Sequence, residues 1–105
     1  MTMRDIYAYR QVAVQSRNVA GACPGTLEIH PMPGQAFSST LMVQCARRLR
    51  DAERYPAGTC FLLSAKLTDR LQGTPFLYAY HGDPDVVLSA TEAKAFLAEF
   101  RRGRI

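Results

Sequence analysis

The stretch that decides the fold runs Tyr55-Pro56-Ala57-Gly58-Thr59-Cys60-Phe61-Leu62-Leu63-Ser64-Ala65-Lys66-Leu67, turns at Thr68 to Thr74, and returns through Pro75-Phe76-Leu77-Tyr78-Ala79-Tyr80-His81. Side chains on a strand point to alternate faces. In the first arm that alternation puts Phe61, Leu63, Ala65 and Leu67 on one wholly apolar face and Cys60, Leu62, Ser64 and Lys66 on a mixed one. The second arm sets Phe76, Tyr78 and Tyr80 against Leu77, Ala79 and His81. Aromatic residues favour strands because they pack on a pleated surface. Asp69 and Gly73 lie between the arms and both form turns. Pro75 has no N–H for a ladder, so it belongs at the start of the second arm. The reading is a β-hairpin at the centre of a small sheet or barrel.

Outward from the hairpin, the chain has 105 residues, which bounds it to one domain, 1–105. Apolar residues make up 48% and charged residues 21%, an ordinary globular balance. The net charge of +4 favours anionic partners through long-range attraction and carries no information about fold. Cysteines are three, Cys23, Cys45 and Cys60, widely spaced and without a C-x-x-C pair. His30 and His81 stand far apart, so the clustered ligands of a zinc site are not expected, and neither is any other metal or cofactor. Buried free thiols in a reducing compartment are expected instead. No run of ~18 apolar residues predicts a membrane-spanning helix. Residues Met1-Thr2-Met3-Arg4-Asp5 lack the charged-then-apolar pattern of a secretion signal. The expected location is the cytoplasm, with no membrane partner.

Before the hairpin, Ile6 to Gln15 reads as a strand with Ile6, Ala8, Val12 and Val14 on one face. Thr26 to His30 is a candidate short strand that stops at Pro31 and Pro33. Ser38 to Arg54 reads as a mid-chain helix, with Leu41, Met42, Cys45, Ala46, Leu49 and Ala52 on one arc and Arg47, Arg50 and Arg54 opposite. The same stretch offers a second reading: Ser39 to Cys45 also alternates, as in a strand leading into a short helix. After the hairpin, Val86-Val87-Leu88 reads as a short buried strand. Ser89 and Glu92 then form an S-x-x-E capping box that starts a helix to about Arg102. Ala93, Phe96, Leu97 and Phe100 line that helix's apolar face. The fold class is α+β: a small, mainly antiparallel sheet or barrel with a mid-chain helix and a C-terminal helix.

The strings Tyr-Pro-x-Gly-Thr at 55–59, Ala-Lys-Leu-Thr-Asp at 65–69 and Phe-Leu-Tyr at 76–78 resemble short uncharacterised bacterial proteins with a small, strongly bent β-barrel of the Sm-like or SH3-like kind. The resemblance covers Tyr55 to Leu88, a third of the chain. It implies an Sm-like barrel that binds RNA. The Sm residues for uridine binding have no counterpart here, so no binding residue is carried over. Sm-like proteins begin with a helix and form rings around RNA, whereas this chain begins with an expected strand.

Three residue sets bear on chemistry. Arg47, Arg50 and Arg54 share a helix face and can grip phosphates with forked guanidinium groups; the plainer alternative is a solvated face partly neutralised by Asp51 and Glu53. Tyr78 and Tyr80 can stack bases, with Lys66 or Arg70 meeting phosphates, or they can belong to the core, where Phe76 is expected. His81 stands near Asp83 and Asp85, but no nucleophile pattern accompanies it and turn formation explains both carboxylates, so no catalytic residue is assigned. The candidate nucleic-acid-binding residues are therefore Arg47, Arg50, Arg54, Lys66, Arg70, Tyr78 and Tyr80, for RNA or single-stranded DNA. The alternative is a protein-interaction or self-assembly module, such as a homodimer pairing sheet edges, without catalysis.

Overall fold

The protein is described by a computed structural model over residues 9–18, 27–68 and 73–102. In chain order its elements are β1 (Arg10–Asn18), β2 (Leu27–Pro31), β3 (Val43–Gln44), a 3-10 turn (Arg47–Arg50), β4 (Cys60–Thr68), β5 (Phe76–Ala79), β6 (Val87–Leu88) and α1 (Ala90–Arg101). The sheet order is β2-β1-β4-β5-β3, with β6 also paired to β4. All pairings are antiparallel except β3 with β5. The end strands β2 and β3 pack against each other, so the sheet curls into a nearly closed, barrel-like wall.

The central hairpin is present as β4 and β5, registered Ala65 to Ala79 and Thr68 to Phe76. β4 is the hub: its other edge pairs with β1 over Cys60 to Ala65. The barrel interior is filled by alternate residues of each strand. Val12 and Val14 from β1, Ile29 from β2, Phe61, Leu63 and Ala65 from β4, and Leu77 and Ala79 from β5 are all buried there. Leu67 has the same phase but lies at the sheet's end and is exposed. Tyr55 closes the interior with an edge-on ring contact to Phe61 at 5.1 Å. Pairing of β1 with β4 continues into the loop before β4, where Gly58 N–H donates to Ser16 O and Ser16 N–H to Thr59 O. Gly58 has φ +94°, a left-handed conformation that a side chain disfavours.

Four expectations are corrected. The mid-chain helix over Ser38 to Arg54 is absent; Val43–Gln44 is a strand and only Arg47–Arg50 turns, as a 3-10 helix. Of the strand-then-short-helix alternative, only Val43–Gln44 of the strand over Ser39 to Cys45 is present, followed by the 3-10 turn. The physical reason is the neighbour: Leu77 N–H donates to Met42 O at 2.9 Å, and Val43 pairs with Leu77. Docking on β5 buries Val43 and leaves Met42 39% exposed, although helical spacing placed Met42 on the core arc. Second, the aromatic row of β5 is not the core face: Leu77 and Ala79 are buried, whereas Phe76 and Tyr78 are half-buried on the outside. Third, β6 is not a buried strand, since Val86 and Val87 are exposed. Last, β1 continues through Asn18 rather than ending at Gln15. Residues 6–8 of the expected first strand lie outside the described residues.

Other expectations hold. The capping box is complete: Glu92 N–H donates to Ser89 Oγ and Ser89 N–H donates to Glu92 Oε1. β2 ends at Pro31; beyond it Met32 N–H still donates to Ala13 O, and a side chain extends the pairing. Gln35 accepts from Ala13 N–H at 2.9 Å and donates to Ala13 O and Met32 O at 2.8 Å. Cys45 and Cys60 are buried free thiols; Cys23 lies outside the described residues. No helix among the described residues is long and apolar enough to cross a membrane.

Candidate functional site

Because Leu77 and Ala79 fill the barrel, the other phase of β5 faces outward. Register then builds a row across the outer surface. Lys66 is the cross-strand partner of Tyr78, and Gln44 is its partner on the other side. Tyr9, one residue before the paired part of β1, completes the row, with Lys66 Nζ 5.5 Å from its ring centroid, a cation–π contact. His81 lies along Tyr78 with ring centroids 6.0 Å apart and planes 27° from parallel. Gln11 and Ser64, which pair across β1 and β4, are exposed in the neighbouring row. The row is thus aromatic and polar, with cationic Lys66 between Tyr78 and Tyr9.

The predicted residues separate. Lys66 and Tyr78 are brought into contact range, and Tyr80 continues the outer phase of β5 at 50% exposure. Tyr80 packs over Gly82, where any Cβ would fall 2.5 Å from the ring. Arg70 lies outside the described residues. Arg47 and Arg54 are exposed, while Arg50 is half-buried with its Nε shielded and unbonded among the described residues. The three arginines do not form one helix stripe. A 3-10 turn has ~3 residues per turn, so it aligns Arg47 with Arg50 but not with Arg54. Arg47 follows Gln44 by three residues, so its backbone lies within at most about 11 Å of the Gln44 end of the row.

The arginine that sequence reasoning omitted, Arg48, carries the most structure. Its Nε donates to Asp85 Oδ1 at 2.6 Å, its Nη2 to Asp83 O at 2.9 Å and its Nη1 to His81 O at 3.3 Å. Tyr55 OH donates to the other Asp85 oxygen at 2.8 Å. This hydrogen bond, with burial second, raises the Tyr55 pKa. Arg48 therefore ties the β5–β6 connection to the 3-10 turn. Only the R-R-L-R string hinted at it, because Asp85 is 37 residues away.

A cavity of about 190 Å³ opens in the barrel wall beside this clasp. On one edge of β4, β6 pairs with Cys60 and Phe61, while β5 pairs from Ala65 onward. The segment 62–64 between them borders the cavity. Cys45, Ala46 and Leu49 form its apolar floor, and Ser64, Gln11 and Tyr80 stand at its rim. Burial pushes the Cys45 thiol up to about 11, against the lowering pull of Arg50 and Arg48, so at neutral pH it is a small apolar group and not a nucleophile. Among the described residues no three His, Cys, Asp or Glu side chains cluster to hold a metal.

No protein-family model, curated protein or solved structure matches the chain.

Proposed function

We propose that this chain binds single-stranded RNA or DNA across the outer face of β4 and β5. The observation that carries the reading is the stacked pair Tyr78 and His81 beside Lys66, on a sheet face turned away from the core. Single-strand binders combine aromatic rings, on which bases stack, with cations that track the backbone. Tyr78 and His81 supply the rings, with Tyr80 continuing the row. Lys66 supplies charge on the β4 side of Tyr78 and Arg47, after β3, on the other side, and Arg50, Arg54 and Arg70 add to the positive field. The net charge of +4 supports encounter with a polyanion.

A self-assembling module, pairing copies as a homodimer, is the alternative. The packing of end strand β2 against β3 reduces the sheet edge that such pairing would use. Titration of a labelled oligonucleotide by fluorescence anisotropy tests the proposal. Binding that weakens as salt is raised is the expected result. Absence of binding at low salt, together with a mass that rises with protein concentration, would transfer the assignment to self-assembly.

A further inference from the structure

The cavity between β5 and β6 has a character distinct from the platform beside it. Its floor of Cys45, Ala46 and Leu49 is apolar, and its volume is about 190 Å³. An enclosed apolar cavity of ~150 Å³ admits a benzene molecule, so the 190 Å³ of this half-open cavity is on the scale of a single ring. An anion is disfavoured there. Arg48, the cation in the lining, is bonded through Nε, Nη1 and Nη2 to Asp85, His81 and Asp83. At the rim, the Gln11 amide offers a donor and an acceptor side by side, the pattern that matches the N6/N7 edge of adenine. Ser64 can serve as either donor or acceptor.

We propose that this cavity is a binding site for one neutral, flat heteroaromatic ring of the nucleobase class. Tyr80 forms its side wall, and Gln11 and Ser64 meet the ring's polar edge. A free nucleoside and a base splayed from a strand present the same chemistry to this cavity.

The test is amide NMR of the full chain titrated with adenosine, adenosine monophosphate and inorganic phosphate. Adenosine at millimolar concentration is expected to shift the amides of Leu62, Ser64 and Ala79, with the monophosphate at least severalfold weaker and phosphate without effect there. Ser64→Phe, which blocks the rim from an exposed strand position, is expected to abolish those shifts, and Gln11→Ala to weaken them severalfold. Displacement of adenosine by an adenine-containing oligonucleotide would assign the ring to a strand; simultaneous binding of both would assign it to a free nucleoside. Absence of cavity shifts with adenosine, or shifts that survive Ser64→Phe, overturns the proposal even if oligonucleotides bind the platform.

Discussion

Arg48 Nε lies 2.6 Å from Asp85 Oδ1, and this ion pair fastens the connection between β5 and β6 to the 3-10 turn. The Asp85 side chain is only 17% exposed, and its two oxygens are bonded by Arg48 and Tyr55. Arg48→Ala is expected to cost about 2 kcal/mol, the scale of hydrogen bonds to a charged group, tempered by the partial exposure of Arg48. Thermal melting should fall by about 10 °C for a domain of this size. Arg48→Lys should recover only part, because one ammonium cannot replace three diverging N–H donors. An unchanged melting temperature for Arg48→Ala would show that the clasp contributes nothing.

Gln35 makes a second prediction about the fold. Its amide caps both polar groups of the buried Ala13. Gln35→Ala leaves Ala13 N–H unpaired, while Ala13 O keeps its bond from Met32 N–H, at a cost of about 1–3 kcal/mol. Gln35→Glu should be at least as damaging, since a carboxylate oxygen would replace the donor that faces Ala13 O and Met32 O. Urea midpoints of the two variants check the order; a Glu variant as stable as wild type would contradict it.

The elements legible from sequence were those whose pattern is local. Phe61, Leu63 and Ala65 alternate at period two, and Ser89 with Glu92 marks a helix start that both side chains then cap. Residues 38–54 misled because two periods overlap there: Leu41, Cys45 and Leu49 fit a helix, while Val43 and Cys45 also fit a strand. A neighbour settles such a conflict, and the parallel docking of Val43 on Leu77 is invisible to local spacing. The same limit applied to the site. Lys66 and Tyr78 were legible as candidates because they lie in one hairpin, but the Tyr9 and Gln44 ends of their row required the register of β1 and β3. The clasp of Arg48 was hidden by separation.

Cys45 predicts a pH dependence. Its thiol is pushed by burial from 9.0 to about 11, so the folded state resists deprotonation that the unfolded chain accepts. Stability from the neutral thiol is complete below pH 9 and is lost between about pH 9 and 11, by up to ~2–3 kcal/mol at 1.36 kcal/mol per unit. Tyr55, also raised, loses stability in the same direction at higher pH as the folded group ionises. Urea denaturation of wild type and Cys45→Ala across pH 8 to 11 isolates the thiol. The wild type should lose stability relative to the variant; parallel curves would contradict this.

At the acid end, Glu92 is lowered by its hydrogen bond from the Ser89 backbone and then by the Ser89 side chain. Its contribution is present above 4.5 and is lost as pH falls through the lower folded value. Ser89→Ala should cost about 1 kcal/mol at neutral pH. Amide exchange in the first turn of α1 should speed up in this variant; unchanged protection would show that packing alone holds the helix end.

The most direct test of the account is a titration of labelled single-stranded RNA and DNA, at low and moderate salt, against wild type, Tyr78→Ala and the double variant Arg47→Ala/Arg50→Ala. Strand binding on the outer face predicts about tenfold weaker affinity for Tyr78→Ala with an unchanged salt slope, as expected for one lost stacking partner. It predicts a slope reduced by about 0.7 for the double arginine variant, the share of the one phosphate contact that Arg47 makes on a single strand. No binding by wild type at micromolar protein, or full affinity retained by Tyr78→Ala, would contradict it.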